Sequence, residues 1–146
     1  MAERRATEKV STSLQARILV VDDDEGAREF LVDFLRRRGY SVERAPDGER
    51  AWTLLNAGPW CDLVITDLNM PVMDGLQLLQ RIRERLLPVE VILWTASPGY
   101  GLNERAQELK VVAVLTKGEG LDKLLRSVEL ALTARYGKRG EGGDGD

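Results

Sequence analysis

Short, fully apolar runs alternate along the chain with longer stretches that are apolar only at helical spacing. Ile18-Leu19-Val20-Val21, rich in β-branched residues, is cut off by Asp22-Asp23-Asp24. An apolar residue at each of these positions predicts a parallel strand over 17–21, buried on both faces. Phe30, Leu31, Phe34 and Leu35 then recur with a helical period up to Gly39, a fitting terminator. The alternation continues: residues 40–44 predict a short strand, and 49–56 a helix that stops near Gly58-Pro59. Leu63-Val64-Ile65-Thr66 predicts a third strand ending at Asp67, and Leu76, Leu78, Leu79 and Ile82 mark the helix behind it. Residues 89–94 form the fourth expected strand, ending at Thr95, with a weakly patterned helix within 103–109. Val111 to Leu115 is the fifth, with Thr116-Lys117 at its end, and Leu121, Leu124, Leu125, Val128 and Leu132 form the stripe of the last helix.

Five strand-helix units with short connections predict an α/β fold, a doubly wound parallel sheet with helices on both faces. The first 16 residues and the glycine-rich stretch 137–146 are too polar to join its core and are expected to be disordered.

Composition narrows the chemistry. At 146 residues the chain suits one domain, and 43% apolar with 31% charged residues describes a soluble globular protein. A net charge of −3 predicts no general affinity for nucleic acid. No apolar run approaches a bilayer span, and Met1 to Ala16 is too polar for a signal peptide, so a cytoplasmic protein without membrane insertion is expected. The one cysteine, Cys61, forms no internal disulfide and is expected as a buried thiol. The absence of histidine excludes Ser-His-Asp and Cys-His nucleophile pairs, histidine metal sites and a phosphohistidine donor within the chain. Carboxylate, hydroxyl, lysine and metal are left.

Those groups collect where an open parallel sheet binds ligands, beyond the carboxyl ends of its strands. Asp22, Asp23 and Asp24 follow strand one, Asp67 follows strand three, Thr95 ends strand four and Lys117 follows strand five. If strands one and three are neighbours, two carboxylates ~4 Å apart repel by about 4 kcal/mol at an effective dielectric near 20, which calls for a cation. With oxygen donors alone on offer, the hard cation Mg²⁺ suits the cluster, although ligand type leaves Ca²⁺ and Mn²⁺ open. A lysine ammonium and a threonine hydroxyl would complete the surroundings of an acyl phosphate on Asp67. Phosphoryl transfer needs positioning and charge stabilisation more than a general base.

Ile18 to Asp24, the segment Thr66-Asp67-Leu68-Asn69-Met70-Pro71-Val72-Met73-Asp74-Gly75, Thr95-Ala96 and Lys117 together resemble the signature of response-regulator receiver domains of two-component signalling. The resemblance covers about Arg17 to Tyr136. It implies a receiver domain over 17–136 with a flavodoxin-like (βα)₅ fold and strand order 2-1-3-4-5. It further implies that Asp67 is the phosphoacceptor and that Asp22, Asp23, Asp67 and the main-chain carbonyl of Asn69 hold Mg²⁺. Thr95 is then the switch hydroxyl and Lys117 the partner of Asp67 and its phosphoryl group. The donor would be a histidine kinase or phosphotransfer protein. A chain with no effector domain would act on an unidentified target by protein-protein contact, as a monomer or weak homodimer, its catalysis limited to its own phosphorylation and dephosphorylation.

The chain departs from the family at two points. Gly118 stands where proline commonly follows the lysine, which predicts a loop that holds Lys117 less firmly. Val114 stands where the family carries Tyr or Phe as a rotameric switch, and valine is too short and too stiff at χ1 to make that swing. These departures motivate a phosphorylation-independent scaffold as the alternative; if the domain does switch, the missing aromatic at Val114 points to a route through Ser97-Pro98-Gly99-Tyr100-Gly101. A haloacid-dehalogenase-like phosphatase is the rival from another class, but it continues its first motif with Gly-Thr where this chain has Glu25-Gly26. Simpler readings apply elsewhere: Asp24 as a helix N-cap, Pro71 and Gly75 as turn geometry, Trp52, Trp60 and Trp94 as packing, Arg36-Arg37-Arg38 as a solvated helix end.

Overall fold

A computed structural model describes residues 16–58, 61–99 and 101–144, with backbone alone for 134–144. Strands β1 (Arg17–Val21), β2 (Ser41–Ala45), β3 (Leu63–Thr66), β4 (Glu90–Thr95) and β5 (Ala113–Thr116) alternate with five helices. The helices are α1 (Glu25–Arg37), α2 (Gly48–Asn56), α3 (Gly75–Glu84), α4 (Leu102–Glu108) and α5 (Leu121–Asp144), and a 3₁₀ turn over Lys117–Glu119 precedes α5. The sheet is parallel throughout, in the order β2-β1-β3-β4-β5. This is the doubly wound (βα)₅ architecture expected from the sequence.

The period-two alternation of the strands divides the core into two layers. Leu19, Val21, Val64 and Leu93 meet Ala51 and Leu55 of α2, Leu78, Leu79 and Ile82 of α3, and Ala106 of α4. Ile18, Val20, Ile65 and Ile92 meet Leu31, Val32 and Leu35 of α1 and Leu124, Val128 and Leu132 of α5. Every position of β3 is buried, which is why it reads as an unbroken apolar run. Asp24, Asp47 and Asp74 each cap a helix by accepting a main-chain N–H from its first turn, as expected for Asp24.

Three elements depart from the sequence pattern. Phe30 is 55% exposed and lies outside the core. The buried stripe of α1 is Leu31, Val32 and Leu35, and one step of about 100° from Leu31 turns position 30 toward solvent. The fifth strand starts at Ala113, two residues later than expected, because Val111 N–H still bonds back to Ala106 O at the end of α4 and Lys110 takes a left-handed φ of 57°. At the amino end, Ala16 is fully buried and its carbonyl accepts from Ser41 N–H, so the packed chain includes one residue assigned to the polar leader.

The backbone of α5 is helical to Asp144, into the stretch that composition assigns to a tail. Once a packed stretch nucleates a helix, each further residue adds one hydrogen bond. The expectations for residues 1–15, Trp60 and Tyr100 lie outside the described residues. Cys61 is buried, with its thiol 3.1 Å from Leu63 O. Arg36 donates to Val42 O, and Arg38 lies over the Phe34 ring, so the arginine cluster closes the end of α1. No helix of the described residues is long and apolar enough to cross a membrane.

Candidate functional site

Register brings the carboxylates together. Val21 of β1 is the partner of Thr66 of β3, so the next residues, Asp22 and Asp67, emerge side by side at the carboxyl edge. This is the point at which strand order reverses. The main chain is held there by Asp67 N–H to Val21 O at 2.8 Å and Asp22 N–H to Ala45 O at 3.2 Å. Asp22, Asp23 and Asp67 offer carboxylate oxygens that all lie within 4.8 Å of one another.

The three differ in environment. Asp22 is nearly enclosed, its side chain 3% exposed, with Oδ1 accepting Asp24 N–H at 2.9 Å and Oδ2 facing Lys117 Nζ at 2.6 Å. Asp23 is exposed. Asp67, with a side chain 11% exposed, accepts Leu68 N–H on Oδ1 at 2.7 Å, and its Oδ2 lies 3.7 Å from Lys117 Nζ. Burial raises the Asp67 carboxyl above its usual range; Lys117 opposes the shift, Asp22 adds to it, and the N–H groups of Leu68 and Asn69 oppose it. A pocket with three acidic groups and one lysine carries surplus negative charge. Its donors are all oxygen and close enough for one ion to draw together, so the residues fit a hard divalent cation such as Mg²⁺.

Lys117 directly follows Thr116, the register partner of Thr95, so β5 delivers it to the same edge. Its ammonium also lies 5.5 Å from the centroid of the Trp94 ring. Its main contact is with Asp22 rather than with Asp67, a division the sequence pattern does not predict. Thr95 is fully buried, and its hydroxyl oxygen accepts Ser97 N–H at 3.3 Å. Asn69 is exposed, and its main chain joins the pocket through the N–H that it donates to Asp67.

Gly75 carries the next helix close to the pocket. A Cβ there would lie 2.3 Å from Asp67 O, and its N–H donates to Leu68 O at 2.8 Å, so the turn reading of this glycine is a close-approach requirement. Val114, the register partner of Leu93, packs against the core layer of α2, α3 and α4.

Two supporting residues went unrecognised in the sequence. Arg28, largely buried, donates to Asp22 O at 3.2 Å, and nothing in its local pattern announces this. Glu119 accepts Thr116 N–H at 2.9 Å and closes a capping box around the turn that carries Lys117. That signal was legible, since Thr116-Lys117-Gly118-Glu119 is a Thr-x-x-Glu pattern. The turn that carries Lys117 is thus closed by a hydrogen bond between Thr116 and Glu119, in the place where the family commonly has proline.

Residues 18–129 match the response regulator receiver domain family. The chain is 33% identical over 118 residues to the response regulator receiver protein CpdR of Brucella abortus, covering 81% of this chain and 98% of CpdR. It is 42% identical over 87 residues to the 3',5'-cyclic-nucleotide phosphodiesterase regA of Dictyostelium discoideum, but spans 11% of that much longer protein. The fold is similar to that of response regulator TrrA of Thermotoga maritima in complex with Mg²⁺ and BeF, at 32% identity and a TM-score of 0.73, covering 80% of this chain and 99% of TrrA. By the match over its folded core, this chain belongs to the response regulator receiver domain family.

Proposed function

We propose that this receiver domain accepts a phosphoryl group on Asp67 from a histidine kinase or phosphotransfer protein, with Mg²⁺, and signals in the cytoplasm by protein-protein contact. One observation carries the reading: three carboxylates lie within 4.8 Å of one another, with the Lys117 ammonium between two of them. The receiver protein TrrA, known with Mg²⁺ and BeF bound, supports it by similarity.

In the proposed step, a carboxylate oxygen of Asp67 forms a bond to the phosphorus of a phosphohistidine. The P–N bond breaks, its electron pair stays on the imidazole nitrogen, and the product is an acyl phosphate. Leu68 N–H holds Oδ1 and so orients the carboxylate, leaving Oδ2 toward Lys117. Mg²⁺ held by Asp22, Asp23, Asp67 and the Asn69 carbonyl would neutralise phosphoryl oxygens. Lys117 then pairs with one phosphoryl oxygen, and the Thr95 hydroxyl turns its proton from Ser97 O, 3.4 Å away, to another. Hydrolysis of the acyl phosphate by water resets the domain.

Intact-mass measurement after treatment with acetyl phosphate and Mg²⁺ tests the proposal. One labile phosphoryl group is expected on the parent chain and none on Asp67→Asn; full labelling of that variant rejects the assignment. Contact with a partner regardless of phosphorylation is the second reading, favoured by Val114 at the position of the family's aromatic switch. Labelling without any change in partner-facing hydrogen exchange would favour it.

A further inference from the structure

We propose that Glu119 is a positioning residue that holds Lys117 at the acidic pocket, a task the family commonly gives to proline. The inference rests on the phosphoacceptor reading of Asp67 for its consequence, but not for its geometry.

Lys117 reaches Asp22 Oδ2 at 2.6 Å from the first position of the 3₁₀ turn. A four-carbon side chain loses considerable rotamer freedom when held in one place, so its base must be fixed. The turn supplies little packing for that purpose. A Cβ on Gly118 would meet nothing within 4 Å, and Gly120 has a φ of 103°, which suits glycine alone. Glu119 lies between these two glycines. Its Oε1 accepts Thr116 N–H at 2.9 Å, which closes the main chain around Lys117. Its Oε2 pairs with Lys123 in the first turn of α5, and the neighbouring Leu124 is fully buried against the sheet. Glu119 thus anchors the turn to a packed helix.

The tether persists at working pH. The Lys123 and Thr116 hydrogen bonds lower the Glu119 carboxyl to about 2, so it stays ionised. As an exposed ion pair, Glu119 with Lys123 contributes little to global stability. A purely structural role therefore predicts a small change in melting temperature and no change at Lys117.

The test compares the full chain with Glu119→Ala and Glu119→Gln. The rate of acylation of the Lys117 amine by limiting acetic anhydride is read by peptide mass spectrometry, with Lys110 as internal reference. Glu119→Ala should raise Lys117 acylation about threefold or more, corresponding to the loss of one net hydrogen bond. Glu119→Gln keeps an acceptor for Thr116 N–H but gives up the ion pair with Lys123, and should restore part of the protection. Acetyl phosphate labelling of Asp67 should slow in the alanine variant and recover in the glutamine variant. Unchanged Lys117 acylation in Glu119→Ala, or a glutamine variant no better than alanine, overturns the proposal. If the parent chain takes no phosphoryl group while Glu119→Ala still frees Lys117, the positioning role stands and the phosphoacceptor reading falls.

Discussion

Lys117 Nζ sits 2.6 Å from Asp22 Oδ2, so the lysine of the pocket is engaged by a different carboxylate from the proposed phosphoacceptor. Asp67 Oδ2 is farther away, at 3.7 Å. The ammonium thus engages a carboxylate that would also hold a divalent cation. Removing it should have opposite effects on the metal-free and metal-bound protein. Lys117→Met should lower the metal-free stability by on the order of 1 to 2 kcal/mol, by leaving buried carboxylates uncompensated. The same variant should bind Mg²⁺ more tightly in a titration followed by Trp94 emission, and weaker binding would show that the lysine does not compete.

Asp67 itself should destabilise the metal-free fold at neutral pH. An acid whose pKa is raised by folding contributes stability while it is protonated. That contribution is complete below the unfolded value near 3.8 and is lost as pH rises through the folded value. Ionised Asp67 is therefore a cost at neutral pH, and Asp67→Asn removes it. Urea denaturation in chelator should show the variant more stable at neutral pH, with the advantage shrinking as pH falls toward the unfolded value. Added Mg²⁺ should reverse the order by binding the parent chain more tightly. A variant less stable than the parent at neutral pH in chelator would contradict the electrostatic account.

Gly75 makes a prediction about spacing. Its absent Cβ leaves room for Asp67 O, which would otherwise be 2.3 Å away. Gly75→Ala must push back main chain on both sides of the loop, and a loss of about 3 kcal/mol with slowed Asp67 labelling is expected. Gly118→Ala is the control, because its Cβ would meet nothing within 4 Å, and its stability should stay within about 0.5 kcal/mol of the parent. Equal effects of the two substitutions would refute the close-approach argument.

Thr95 predicts where the signal first leaves the pocket. Its hydroxyl oxygen is bound by Ser97 N–H at 3.3 Å, and Gly99 and Gly101 beyond it have φ values of 75° and 77°. If the hydroxyl turns to a phosphoryl group, Ser97 N–H loses its acceptor and the segment up to α4 is released. Beryllofluoride with Mg²⁺ should then speed hydrogen exchange at Ser97 and alter protection between Ser97 and Leu109. No change in that segment would mean that Thr95 does not transmit occupancy of the pocket through this loop.

The strands, the helices and the list of reactive groups were readable in the sequence because each is a local property. An apolar run such as Leu63 to Thr66 must be buried on both faces, and a cluster such as Asp22-Asp23-Asp24 must end it. Even the tether at Glu119 was written locally, in a Thr-x-x-Glu pattern. Other features depend on distance in space, which no local pattern encodes. Register between Val21 and Thr66 decides that Asp22 and Asp67 stand side by side. The reach of Lys117 across the sheet edge decides that Asp22 takes its charge. The rotation of α1 against the sheet decides that Phe30 faces solvent while Leu31 is buried, although both are large and apolar. Sequence determined which groups could react; packing decided which of them meet, because charge and burial act over ångströms in space rather than over positions along the chain.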